Sequence, residues 1–232
     1  MKVAIMQPYF FPYIGYFQLI AAVDLFVVYD NIKYTKKGWI NRNRMLENGC
    51  DAMFSLPLRS GSDALDVRDR SLAADFVPEK VLSRFEGAYR RAPFFAQTRA
   101  LLESALRHPD NNLFAFLHHS LVQTCQHLGL ATKIRISSSV PIDHTRKAED
   151  KVLALCEALG ATSYVNAIGG VELYSKDAFR DRGVVLDFIR PRPLEYTQFD
   201  SEFLPGLSIL DVLMFNPLED VRHWVRHNYD LV

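Results

Sequence analysis

The sequence predicts an α/β fold with a mostly parallel sheet and a helical insertion. Three observations point to it. Short runs rich in branched and aromatic residues recur at 3–6, 25–29, 133–140, 163–168 and 184–189, each about the length of a buried strand. Amphipathic helical stretches separate most of them, which is the rhythm of parallel strands joined by crossovers. Between the second and third runs, residues 78–130 read as three consecutive helices. They form an insertion or small lobe within one domain spanning 1–232.

Taken in order, 3–6 is a buried strand closed at Gln7-Pro8, since the residue before proline is driven out of the helical region. Residues 13–22 follow as a helix and 25–29 as a second strand ending at Asp30. This β–α–β order opens a parallel sheet. A hairpin over 45–58 turns at Asn48-Gly49. The charged stretch 59–77 reads as an excursion. Pro78 and Pro93 each stand at the first position of a helix, 78–91 and 93–107. A third helix, 112–128, places Leu113, Phe116, Leu117, Leu121, Cys125 and Leu128 on one face and is capped by Gly129.

Parallel rhythm then returns. A strand at 133–140 leads to a helix at 146–159, capped by Thr145 and stopped by Gly160. The strand 163–168 ends in Gly169-Gly170, and a helix at 172–182 stops at Gly183. The strand 184–189 is closed by Pro191 and Pro193. Helices at 208–215 and 217–228 finish the chain, with Ser208 as N-cap and Asp211 placed for reciprocal capping.

Lys plus Arg and Asp plus Glu number 27 each over 232 residues, a net charge of zero. That argues against a sequence-specific nucleic-acid binder, whose affinity rests on excess positive charge. Three cysteines without a Cys-x-x-Cys pair support neither a zinc ribbon nor a redox dithiol, and no metal site is expected. Cys125 and Cys156 fall on apolar helical faces, as small core residues do. No apolar run approaches the ~20 residues of a membrane span, and the opening run is too short for a signal peptide. A reducing, cytoplasmic setting is expected.

In open α/β sheets ligands collect beyond the carboxyl ends of the strands. The first end carries Gln7, two prolines and a run of aromatics. Gln7, Tyr13 and Gly15 are candidate binding residues, with Gly15 in the first helical turn letting a ligand approach backbone N–H groups. The second end carries Asp30 and then Lys33, Lys36, Lys37, Arg42 and Arg44 among Trp39, Asn41 and Asn43. Here Lys36, Lys37, Arg42 and Arg44 suit a diphosphate or carboxylate, Trp39 a stacked ring, and Asn41 a polar group. Asp30 and His144 are the candidate proton acceptors. Asn166 with Gly169 and Gly170 forms a third group of candidate binding residues at a strand end.

The runs Gln7-Pro8-Tyr9-Phe10-Phe11-Pro12-Tyr13-Ile14-Gly15-Tyr16-Phe17 and Lys36-Lys37-Gly38-Trp39-Ile40-Asn41-Arg42-Asn43-Arg44 resemble the WbqC-like family of bacterial polysaccharide gene clusters. The likeness continues at Tyr164-Val165-Asn166-Ala167-Ile168-Gly169-Gly170, at Glu195-Tyr196 and over 207–216. It implies a transferase of O-antigen biosynthesis that N-acylates a nucleotide-linked amino sugar, glycine being the acyl group proposed for the family. The acyl activation source would be ATP or an aminoacyl-tRNA. A fainter likeness to nucleotidylyltransferases and pantothenate synthetase implies a Rossmann-like, nucleotidyltransferase-like sheet. It offers nucleotidyl transfer to a sugar or acyl phosphate as an alternative activity, although Tyr13-Ile14-Gly15-Tyr16 stands where those enzymes carry His-x-Gly-His. A non-catalytic protein that binds a sugar nucleotide or another phosphate-bearing small molecule is the third alternative.

Overall fold

A computed structural model describes residues 1–62, 64–199 and 202–232. From the amino end run β1 (Lys2–Met6), α1 (Ile14–Ala21), β2 (Leu25–Val28) and the hairpin β3 (Arg42–Glu47) with β4 (Cys50–Ser55). Helices α2 (Pro78–Tyr89), α3 (Phe95–Leu106) and α4 (Leu113–His127) follow. Then come β5 (Lys133–Ile136), α5 (Ala148–Leu159), β6 (Ser163–Ala167), α6 (Lys176–Arg180), β7 (Val185–Pro191), α7 (Ile209–Phe215), α8 (Leu218–His227) and β8 (Tyr229–Leu231).

Six strands make the central sheet in the order β5-β2-β1-β6-β7-β8. The first five are parallel, and β8 pairs antiparallel with β7. Counting only these six in chain order, the arrangement is 3-2-1-4-5-6, the Rossmann-like order. The chain winds outward from β1 through β2 to β5, then returns to β6 on the other side. The direction of winding therefore reverses between β1 and β6.

Alternation along the strands explains the two-sided burial. Val3, Ile5, Leu25 and Val27 enter a core cluster with Val152, Cys156 and Phe179, beneath α5 and α6. Their neighbours Ala4, Phe26 and Val28 face the opposite way, into a larger cluster with Phe17 of α1 and Val221 of α8. A slip of one residue would exchange the two faces. Leu82, Phe85, Leu102 and Phe116 of the α2–α4 block belong to that same larger cluster, so this block shares the core of the sheet.

Several local expectations are corrected. Pro93 lies in the turn between α2 and α3, and α3 begins only at Phe95, because backbone bonds from Ala92 to Tyr89 and from Phe95 to Ala92 tighten the junction. The strand expected over 133–140 ends at Ile136, where Ser137–Ser139 wind into a 3-10 turn. Thr145 does not cap α5. Its hydroxyl donates to Asp143 (2.6 Å), and the helix starts at Ala148 with an acidic first turn, Glu149 and Asp150. The helix expected over 172–182 is split into a 3-10 segment, Ile168–Leu173, and the short α6, because Ser175 offers its own side chain as N-cap to Ala178. Ser208 does cap α7, whereas Asp211 turns inward and is fully buried. The hairpin starts at Arg42, so the tail of the basic stretch is strand, and β8 was not foreseen at all.

Candidate functional site

The loop leaving β1 is held in an unusual shape. Phe11 has φ 42°, a left-handed conformation that is costly for a bulky residue. Three side-chain bonds fix it. Asn43 Nδ2 donates to the Phe10 and Phe11 carbonyls (3.1 and 2.8 Å), and the Ser208 hydroxyl donates to the Phe11 carbonyl (2.7 Å). The Ile209 amide takes the Pro12 carbonyl at 2.9 Å. Phe10 and Phe11 are thereby sunk into the core, while Tyr9 and Tyr13 remain on the wall of a cavity.

That cavity, about 370 Å³, lies at the reversal point between β1 and β6. The exits of β1, β2 and β6, the first turn of α1 and the 3-10 segment after β6 surround it. It is large enough for one sugar or base ring. Five tyrosines line it, Tyr9, Tyr13, Tyr16, Tyr29 and Tyr174, with Gln7 and Asn166 as the side-chain amides. No Asp, Glu, Lys, Arg or His is among the described residues of its walls.

The polar atoms divide into those already engaged and those free for a ligand. Tyr16 donates to the Gln7 carbonyl at 2.7 Å, which holds the loop to α1. The hydroxyls of Tyr9, Tyr13 and Tyr29 have no hydrogen-bond partner among the described residues. Burial raises the pKa of all three, so they stay protonated donors at neutral pH. Asn166 is only 5% exposed; its Oδ1 accepts from the Ala167 amide (2.8 Å), which fixes the rotamer. Its Nδ2 has no partner among the described residues and faces the cavity. Gly170 makes room for it, because a Cβ there would come within 2.5 Å of Nδ2. Gly15 does the same for Tyr13, whose phenol lies across the first turn of α1, where any Cβ would collide with it.

The residues singled out in the sequence therefore separate into three places. Gln7, Tyr13, Gly15, Asn166, Gly169 and Gly170 meet around this one cavity. Lys36, Lys37, Trp39, Asn41, Arg42 and Arg44 do not line it. Their stretch touches the aromatic loop, the Phe10 amide bonding the Trp39 carbonyl, but its polar groups have other tasks. Arg42 closes its own turn on the Gly38 and Lys37 carbonyls. Arg44 pairs with Asp51 at 2.9 Å and reaches the carbonyls of Pro205 and Gly206. Asn41 accepts from Tyr34 and donates to the Leu56 carbonyl. Lys36, Lys37 and Trp39 point to solvent.

Asp30 and His144 occupy a third place, a network at the exits of β2 and β5. Asp30 Oδ1 accepts from the Ser138 amide (3.0 Å), and Arg68 stands 3.7 Å from Oδ2. The Ser137 hydroxyl lies 2.8 Å from Asp30 Oδ1 and 2.7 Å from Asn31 Oδ1, donating to one at a time. Burial raises the Asp30 pKa, but the hydrogen bonds from Ser138 and Ser137 outweigh it and the net shift is downward. His144 accepts from Asn31 Nδ2 (2.9 Å) and donates from Nε2 to the Val140 carbonyl (3.0 Å), partners that assign the neutral Nε2–H form. Lys151 completes the network, bonded to the Asn31 carbonyl at 3.0 Å with its ammonium 5.3 Å from the Tyr29 ring. Burial pulls its pKa down. Tyr29 thus separates the network from the cavity.

Tyr29, Tyr174 and Lys151 went unmarked in the sequence, and Asn43 stood out only as one of the asparagines of the basic stretch. Tyr29 had a signal, as the last residue of a strand run. Lys151 had one too, since it stands one turn before Leu155 on the apolar face of its helix.

Fold and cavity together define a Rossmann-like α/β protein with a tyrosine-lined cavity at the reversal of strand order. The chain belongs to the WbqC-like protein family, whose model matches residues 7–223. It is 28% identical over 229 residues to an uncharacterized protein of Mycobacterium tuberculosis, a match covering 97% of this chain and 98% of that one. No solved structure matches the chain. Among the described residues no helix is long and apolar enough to cross a membrane.

Proposed function

We propose that this protein is a transferase of bacterial surface-polysaccharide (O-antigen) assembly that joins glycine or another small acyl group to the amine of a nucleotide-linked amino sugar. One observation carries the reading. Six candidate residues from two segments about 150 positions apart converge on a ring-sized, tyrosine-walled cavity at the reversal point of the sheet. Tyrosine faces suit the C–H faces of a sugar, and the free hydroxyls and Asn166 Nδ2 suit its oxygens. In the reaction the sugar amine attacks the activated acyl carbon. A C–N bond forms, the bond to the adenylate or tRNA oxygen breaks, and the amine's proton passes to that departing oxygen. Asn166 Nδ2 would donate to the acyl oxygen as charge develops there.

The second reading, a sugar-nucleotide binding protein without turnover, is favoured by a specific feature: the described walls hold no carboxylate, imidazole or amine to accept that proton. Mass spectrometry separates the two. Protein is mixed with nucleotide-linked amino sugars and either ATP plus glycine or glycyl-tRNA. The transferase reading expects a product heavier by one glycyl group, reduced at least about a hundredfold in Asn166→Ala. Binding without product favours the second reading. Neither binding nor product sinks both.

A further inference from the structure

The walls of the cavity set a limit on what it can take. Among the described residues they offer hydrogen-bond donors from Tyr9, Tyr29 and Asn166, but no cation that could pair with a buried negative charge. Lys151 stands behind the Tyr29 ring, and its ammonium is bonded to the carbonyl and Oδ1 of Asn31 (3.0 and 3.3 Å). Asn166 is more than nine-tenths buried, its Nδ2 is unpartnered among the described residues, and it is aimed inward. Its donor position is fixed from two sides, by the bond at Oδ1 and by the missing Cβ of Gly170.

Resting on the reading that this cavity takes the sugar of a nucleotide-linked amino sugar, we propose that it selects by charge, accepting a ring whose substituents are neutral and rejecting one that carries a carboxylate. A hydroxyl or amide oxygen placed against Asn166 Nδ2 gains a hydrogen bond with little reorganisation, because the donor is already in place. A carboxylate in the same position is stripped of water and meets only neutral dipoles. Its desolvation is then uncompensated. The diphosphate of either ligand stays outside this lining and contributes equally to both, so the discrimination arises at the ring. Gly170 is the positioning residue: a methyl group there displaces the Asn166 amide.

Isothermal titration with UDP-glucose, UDP-N-acetylglucosamine and UDP-glucuronate tests this, since the three share one nucleotide and one diphosphate. The neutral pair is expected to bind, with the glucuronate at least about a hundredfold weaker. Gly170→Ala is expected to weaken the neutral pair about tenfold or more while its thermal melt stays that of the wild type. Glucuronate binding within a few-fold of glucose overturns the charge selection and leaves the parent reading standing. Unchanged neutral binding in Gly170→Ala overturns the part given to Asn166. Silence from all three ligands overturns this inference, whereas the parent reading is tested by the amino-sugar nucleotide itself in the glycyl-transfer assay.

Discussion

Asp211 shows how one buried residue can tie distant segments together. Its carboxylate is fully buried and accepts from Tyr89 (2.8 Å), Tyr196 (2.6 Å) and Gln198 (2.7 Å), joining α2, α7 and the segment before α7. Tyr89 in turn accepts from the Leu46 amide of β3 at 2.7 Å. Replacing Asp211 by Asn leaves a donor facing donors, which costs about 1–3 kcal/mol for a buried group. Burial raises the Asp211 pKa even though its three donors pull it down. A folded pKa above the unfolded one means the native state holds this proton more tightly. Its contribution is therefore complete below the ordinary carboxylate range and shrinks as pH rises through the raised value. The gap in melting temperature between wild type and Asp211→Asn should narrow as pH is raised from acid toward neutral. A gap that widens over that range would contradict the sign.

At the scale of elements, helix ends carry separable energies. Gly160 closes α5 at φ 65°, ψ 34°, with open space around it, so Gly160→Ala meets only backbone strain. Chemical denaturation should show a loss of about 1 kcal/mol. Gly87 lies inside α2, also in open space, and there alanine should gain roughly 0.5–1 kcal/mol. Equal effects at both positions would mean that the caps are not what fixes these helices. The same locality explains what could be read before the fold was known. Ser208 as N-cap of α7 and the left-handed Gly129 and Gly160 act within one turn, so their identity alone announces them. The split of 168–182 depended on whether Ser175 would bond its own backbone, a near tie that composition does not decide. The three residues of β8 exist as a strand only because the β7 edge is there to pair with them.

Over the whole molecule, the cavity is a product of topology. Gln7 and Asn166 meet because β1 and β6 are sheet neighbours, a pairing across about 160 residues that no local pattern encodes. Strand ends could be named one by one, which found Gln7, Gly15, Asn166 and Gly170. Which ends would share a cavity could not, and so Tyr29 and Tyr174 were missed. The basic stretch 33–44 drew attention by charge density, yet its arginines bind carbonyls and Asp51, a use that depends on the β3–β4 hairpin and the segment around Gly206. This separation gives a test that needs no chemistry. A sugar nucleotide seated at the reversal point should slow hydrogen exchange over 7–16 and 166–174 together, because the cavity is closed from both sides by those segments. Free ligand at about a hundred times its dissociation constant should also raise global stability by roughly 2.7 kcal/mol. Exchange over 35–40, on the solvent side of the loop, should be unchanged. Protection that instead concentrates over 35–40, with 166–174 unaffected, would move the ligand to the lysines and away from the tyrosine cavity.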